Sequence, residues 1–95
     1  IPVLEKAAAM SKNGDTYVLL GNLYLFEDRM KDSIRAIEAG LKKEKVKSRS
    51  QAQLVLGQAH FELENFDEAK KQFRAAARDK DKRIKKTANS WIKYA

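Results

Sequence analysis

Apolar side chains recur every three or four residues along most of the chain, and short polar breaks separate the runs. The second run shows the spacing i, i+3, i+4, i+7 in Tyr17, Leu20, Gly21 and Tyr24. Residues at this spacing share one face of an α-helix, so the run predicts an amphipathic helix. The same reasoning predicts six helices, over about residues 1–10, 16–28, 30–43, 51–63, 66–78 and 81–94.

The polar breaks carry helix-capping signals. Asp15 precedes the second predicted helix, where its carboxylate can accept a hydrogen bond from a free backbone amide. Ser50 followed by Gln53 fits a capping box at the start of the fourth helix. The breaks are about two to seven residues long, and connections this short place consecutive helices antiparallel, in hairpins. The sequence therefore predicts an all-α fold of helical hairpins.

The two central hairpins repeat. Sliding the chain by 36 residues aligns Gly21 with Gly57, Leu20 with Leu56 and Tyr24 with His60; Ile37 also aligns with Phe73. A glycine inside a helix costs up to about 1 kcal/mol relative to alanine. Two glycines at equivalent positions therefore predict that a neighbouring helix approaches closely at each.

The repeated positions resemble the tetratricopeptide repeat family, whose pattern runs W-x2-L-G-x2-Y, then A-x3-F, then A and P. The first copy reads Tyr17-x2-Leu20-Gly21-x2-Tyr24, then Ser33-x3-Ile37, then Gly40. The second reads Gln53-x2-Leu56-Gly57-x2-His60, then Ala69-x3-Phe73, then Ala76. The resemblance covers about residues 14–80, and the segment from Gly57 to Ala69 is its most specific part.

This resemblance implies a right-handed solenoid of stacked hairpins closed by a C-terminal capping helix. It divides a single domain, 1–95, into the end of a truncated repeat (1–13), two full repeats (14–47 and 48–80) and the capping helix (81–95). The closing proline is absent from both copies, and the period is 36 rather than 34. We therefore expect the connector around residues 43–48 to be longer and to turn differently.

In this family the first helices of the repeats line a groove that holds peptides. The resemblance thus implies a non-enzymatic scaffold for protein–protein interaction, which binds a peptide or helix of a partner. The contact residues it predicts are Val18, Asn22, Leu25, Phe26, Leu54, Gln58 and Phe61. Some family members clamp the C-terminal carboxylate of a chaperone with lysines on these helices. The matching positions of this chain hold Val18 and Leu54, so that clamp is not supported. The alternative for Leu25 and Phe61 is packing against neighbouring helices.

The charge of the chain is concentrated in two segments. The formal net charge is +7; residues 42–49 carry five cationic and one anionic side chain, and residues 78–95 carry seven and two. The last helix could therefore bind nucleic acid or an anionic surface through a patch at Lys82, Arg83, Lys85 and Lys86. We favour the interpretation that this is the solvated face of a capping helix, whose Trp91 seals the last repeat. Nucleic acid is thus the less favoured partner.

Nothing in the sequence suggests catalysis. The chain has no cysteine, and we interpret its single histidine, His60, as a packed, hydrogen-bonded residue between two helices. No phosphate-binding loop or nucleophile–base set is visible. We predict no catalytic residue, no metal site, no cofactor and no transmembrane segment, because no apolar run approaches the roughly 20 residues that span a bilayer.

Two expectations concern context. The segment from Arg83 to Tyr94 resembles the end of some tetratricopeptide proteins of Gram-negative bacteria associated with TonB-type energy transduction. That resemblance implies the bacterial periplasm or cell envelope; without it we expect a cytoplasmic protein. Since the chain opens at Ile1 in mid-pattern, we interpret it as a fragment whose exposed N-terminal edge could self-associate.

Overall fold

The computed structural model describes residues 2–43 and 45–94, apart from the side chains of Pro2 and Tyr94. The described residues form six α-helices, which confirms the all-α class, as in a stack of tetratricopeptide-like hairpins. Ile1, where the first helix was predicted to begin, lies outside the described residues, as do Glu44 of the connector and Ala95 of the predicted capping segment. The helices are α1 (Pro2–Met10), α2 (Asp15–Phe26), α3 (Met30–Leu41), α4 (Arg49–Glu62), α5 (Phe66–Ala76) and α6 (Lys82–Tyr94).

Both capping predictions were wrong. Asp15 is the first residue inside α2, and its carboxylate accepts hydrogen bonds from Ser48 instead of capping its own helix. Ser50 lies inside α4, which begins at Arg49. The Ser50 side chain hydrogen-bonds to Asp79, in the loop before α6. Each residue bonds to a loop distant in sequence, so a local pattern could not identify its partner.

The two hairpins turn in the same way. In the first, Asp28 has φ 59°, and the amide of Arg29 donates to the carbonyl of Tyr24. In the second, Glu64 has φ 63°, and the amide of Asn65 donates to the carbonyl of His60. A left-handed residue followed by this backward hydrogen bond is a Schellman motif, which ends a helix. The predicted second helix, which extended to Asp28, therefore stops two residues early.

The two mid-helix glycines mark close contacts between the helices of each hairpin, as predicted. A Cβ atom built on Gly21 would lie 2.6 Å from Ile37 Cγ1, and one on Gly57 would lie 2.6 Å from Phe73 Cε1. Real Cβ atoms essentially never show contacts this short. The second helix of each hairpin thus packs directly on the backbone of the first.

The buried residues form three clusters, one at each junction along the stack. Leu20, Tyr24 and Ala36 pack with Leu4 of α1. The second cluster joins the two hairpins and contains Val18, Ile37, Ala52, Val55 and Leu56. The third joins the second hairpin to α6 and contains Leu54, Ala69, Phe73, Ala76 and Ala88. Each element is therefore stabilised mainly by its neighbours, as in repeat proteins.

The connector between the hairpins bonds to the loop that precedes the first hairpin. Asn13 and Lys45 form an isolated parallel β-bridge, and the Gly14 amide donates to the Lys45 carbonyl at 2.6 Å. The Asp15 carboxylate also accepts the amides of Lys47 and Ser48, at 3.3 and 3.0 Å. This connector thus holds the N-terminal ends of α2 and α4 together.

Candidate functional site

The first helices of the hairpins and the last helix share one face of the molecule. Helix α4 packs on both α2 and α6, and a cavity of about 490 Å³ opens along this row. Its lining comprises Asn22, Gln51, Leu54, Val55, Gln58, Asp81, Arg83, Ile84 and Thr87. A second cavity, of about 260 Å³, is lined by Leu25, Asp28, Met30, Gln58, Glu62 and Trp91. Because Gln58 borders both, we treat them as one depression, the α2–α4–α6 groove.

Helical spacing explains which side chains of α4 line the groove. Gln51, Leu54, Gln58 and Glu62 follow one another at intervals of three or four residues. Such intervals keep side chains on one face of a helix. In α6, Ile84, Thr87 and Trp91 have the same spacing. Most of the groove is therefore lined by stripes of regular helices, and Asp28 and Asp81 add residues from the loops at its ends.

Two amide side chains stand out in this lining. Asn22 on α2 and Gln58 on α4 are partly buried. Within the part of the chain that the structure describes, neither side chain hydrogen-bonds to another residue. An amide carries two N–H donors and an acceptor oxygen. These groups are therefore available to water or to a ligand that lies in the groove.

The predicted contact residues divide into buried and accessible ones. Val18 is 6% exposed and packs in the cluster between the hairpins, so its assignment as a groove contact is corrected. Leu54 is 5% exposed and offers only a small part of the groove floor. Both are enclosed because the adjacent helices pack against these positions. Leu25 is partly buried against the inter-hairpin cluster, yet it also lines the smaller cavity.

The two predicted phenylalanine contacts lie in different surroundings. The Phe61 ring packs edge-on against Phe66 and Trp91, with both centroid distances 5.4 Å. The position of Phe61 is therefore explained by packing against neighbouring helices, the alternative given for it above. Phe26, at the end of α2, is 81% exposed and lines neither cavity of the groove.

Helix α6 supplies groove residues that were not predicted from the sequence. Ile84, Thr87 and Trp91 line the groove, although α6 was interpreted as a cap or, alternatively, as a basic binding patch. The Trp91 ring also stacks on Phe73 at 5.3 Å, which agrees with the prediction that it seals the last repeat. The apolar stripe of α6 was visible in the sequence. Its proximity to α4 was not, because that depends on packing.

The predicted basic patch lies at exposed positions of α6. Lys82, Arg83, Lys85 and Lys86 are all exposed. Arg83 also lines the groove, where its Nε lies 3.7 Å from an Asp81 carboxylate oxygen. Lys85 and Lys86 lie three and four residues after Lys82, and Lys86 lies three after Arg83, so the four cations are neighbours on the helix surface.

Two carboxylates connect the loops beside the groove to the start of α4. Hydrogen bonds from the hydroxyl and amide of Ser48 lower the pKa of Asp15. A hydrogen bond from Ser50 lowers the pKa of Asp79. Both carboxylates lie at the N-terminal end of α4, where the helix dipole also favours negative charge. They fix the end of the helix that carries Gln51 and Gln58.

Comparison with known proteins supports the family resemblance. The tetratricopeptide repeat model matches residues 50–78, the segment that contains nearly all of the α4–α5 hairpin. No curated protein gave a significant match, and no solved structure did. The match supports the tetratricopeptide repeat family and indicates a module for protein–protein interaction. Nothing in these comparisons supports the resemblance to TonB-associated proteins.

Two kinds of feature are absent from the residues that the structure describes. None of the helices in the described residues is both long and apolar enough to cross a membrane. Within residues 2–43 and 45–94, no group of three or more histidine or acidic side chains is arranged to hold a metal ion.

Proposed function

We propose that this chain is a non-enzymatic interaction module that binds a peptide or helix of a partner protein in the α2–α4–α6 groove. The observation that carries the proposal is the pair Asn22 and Gln58. Both amides lie in the groove lining without a hydrogen-bond partner among the described residues. Amides of this kind can hydrogen-bond the backbone of an extended segment.

Apolar side chains beside the amides provide the rest of the binding surface. Ile84 lies in the larger cavity, and Leu25 and Trp91 lie in the smaller one. Burial of apolar surface contributes roughly 25 cal/mol per Å². In this proposal the amides fix the position of the ligand backbone, and its apolar side chains supply most of the affinity.

We retain the predicted division into a truncated repeat, two full repeats and a capping helix as part of this proposal. The α2–α3 hairpin lies within residues 14–47, and the α4–α5 hairpin lies within 48–80. Helix α6, within 81–95, then has two roles: it covers the third buried cluster, and it forms one wall of the groove.

The test is affinity capture with the double variant Asn22→Ala/Gln58→Ala. The matched control is Gln72→Ala/Asn89→Ala, which removes one amide of each type from outside the groove lining. Proteins retained by the immobilised chain are compared by mass spectrometry. We expect a partner that the groove variant loses and the control keeps. If both variants retain the same proteins as the original chain, the groove is not the binding site.

A competing proposal places binding on the lysine face of α6, because Lys82, Lys85 and Lys86 are all exposed. Binding of nucleic acid or an anionic surface there would weaken steeply as salt rises, whereas binding in the groove would weaken only mildly.

A third proposal concerns self-association through α1, since Val3 and Met10 are 83% and 79% exposed. Sedimentation of Val3→Ser/Met10→Ser beside the original chain would test it.

A further inference from the structure

The smaller cavity of the groove has a negative rim. Asp28 and Glu62 are its charged residues, and its described lining contains no lysine, arginine or histidine. The two acids come from different helical hairpins, since Asp28 follows α2 and Glu62 ends α4. This end of the groove therefore has the opposite sign to the chain as a whole, whose formal net charge is +7.

Backbone dipoles at this end of the hairpins partly offset one another. Helices α2 and α4 run in the same direction, because each is the first helix of a hairpin, and both end at this cavity with about half a negative charge each. Helix α3 begins there, at Met30, with the opposite partial charge, so the negative rim comes from the two carboxylates. An acid at a helix C-terminus is unfavourable for the helix itself. Helix stability thus gives no reason for Glu62 to stand at the end of α4.

The floor of the same cavity is apolar and aromatic. Leu25 and Met30 provide aliphatic surface, and Trp91 provides an indole ring. The cavity therefore combines surface that suits an apolar side chain with carboxylates that suit a cation.

Most basic residues of the two charged segments lie away from the smaller cavity. Residues 42–43, 45–49 and 78–83 belong to the opposite end of the hairpins, where α4 and α6 begin. Helix α2 has 12 residues. At 1.5 Å per residue this is about 18 Å, roughly two Debye lengths at physiological salt. Arg29 and Lys93 belong to the same end as the cavity, but neither lines it, and Arg29 pairs with Glu27 and Asp32. The charged side chains in the cavity lining itself are thus Asp28 and Glu62.

We propose that the smaller cavity selects a basic residue beside a large apolar residue in the partner segment. Its lysine or arginine pairs with Asp28 and Glu62, and its apolar neighbour packs on Leu25, Met30 and Trp91. The inference rests on the proposed groove function and adds a requirement for charge. It also orients the ligand, because only one end of the groove accepts a cation in this way.

The test uses a phage-displayed library of random 12-residue peptides, selected on the 95-residue chain. The charge-reversal variant is Asp28→Lys/Glu62→Lys. The matched control is Glu27→Lys/Glu64→Lys, which makes the same change of charge in the same two turns but outside the cavity lining. Thermal melts of both variants establish that each is folded before binding is compared.

We expect the selected peptides to be enriched in lysine or arginine next to leucine, phenylalanine or a similar residue. The charge-reversal variant should bind such a peptide at least about tenfold more weakly, since two pairs become repulsive, and the control should change it by less than about threefold. Equal weakening in both variants would show a long-range charge effect and overturn the cavity assignment.

Two further outcomes separate this inference from the proposed function. If selected peptides lack basic residues but lose affinity for Asn22→Ala/Gln58→Ala, the groove binds peptides and the charge requirement is wrong. If no selected peptide is sensitive to either groove variant, the proposed function fails, and the inference fails with it.

Discussion

Asp28 and Glu64 occupy the same position in the two hairpin turns, and both adopt a left-handed backbone, with φ of 59° and 63°. Glycine is the usual residue there, because a side chain in this conformation costs about 1 kcal/mol or more. In place of the usual apolar contact across the motif, Arg29 lies 4.4 Å from the Tyr24 ring centroid. In the second turn, the side-chain nitrogen of Asn65 lies 3.4 Å from His60 Nδ1. These side-chain contacts help to hold a backbone that the sequence does not favour locally.

Replacing Glu64 with glycine is therefore expected to stabilise the chain. Glycine adopts positive φ at no steric cost, and we predict a rise of about 0.5–1 kcal/mol in the free energy of unfolding, measured by urea denaturation. Glu64→Ala is the control, because it removes the carboxylate and keeps the strain. Equal gains in both variants would mean that charge, not backbone conformation, limits the stability of the turn.

At the residue scale, the sequence predicted the close helix packing at small residues, but it did not predict hydrogen bonds to partners distant in sequence. Gly21 and Gly57 were identified because a mid-helix glycine has a local cost that requires a reason. The close approach of Ile37 and Phe73 provides it. Asp15 was misassigned as a cap because its partner, Ser48, lies 33 residues away along the chain. No local pattern distinguishes these two uses of a carboxylate.

At the scale of elements, loops and helix starts are linked across hairpins. Asp15 of α2 accepts the amides of Lys47 and Ser48, at the point where the connector enters α4. Asp79, between α5 and α6, accepts a hydrogen bond from Ser50 of α4. Helix α4 is thus held from both sides. The helical period identified every element, whereas these links decide where α4 begins.

The Asp15 link gives the stability of the fold a dependence on pH. Hydrogen bonds from Ser48 hold the pKa of the Asp15 carboxyl below its ordinary value. The bonded carboxylate therefore stabilises the fold above that ordinary pKa, and the effect is lost as pH falls through the folded pKa. We predict that Asp15→Asn lowers the urea midpoint at pH 7 and loses less further stability than the original chain between pH 5 and about pH 2.

The control for this prediction is Glu38→Gln, on an exposed carboxylate of α3 that bonds to no other element among the described residues. It should leave the acid profile close to that of the original chain. An Asp15→Asn profile parallel to the original over the whole range would show that the Asp15 carboxylate does not contribute to the acid dependence.

At the scale of the whole molecule, stacking the hairpins creates a surface that no single element has. The groove uses Asn22 from α2, Gln58 from α4 and Ile84 from α6. One buried cluster joins α2 to α4, and another joins α4 to α6. The parts of this surface on α2 and α4 were predictable from helical period and family resemblance. The α6 wall and the burial of Val18 were not, because both depend on how closely adjacent helices pack.

Site-specific photo-crosslinking tests the central claim, that a partner lies in the groove, most directly. A photoreactive benzoylphenylalanine replaces Gln58 in one protein, Asn22 in a second and Gln72, outside the groove lining, in a third. The account predicts that positions 58 and 22 crosslink to the same segment of one partner and that position 72 does not. Crosslinks to a partner from position 72, with none from 58 or 22, would contradict it.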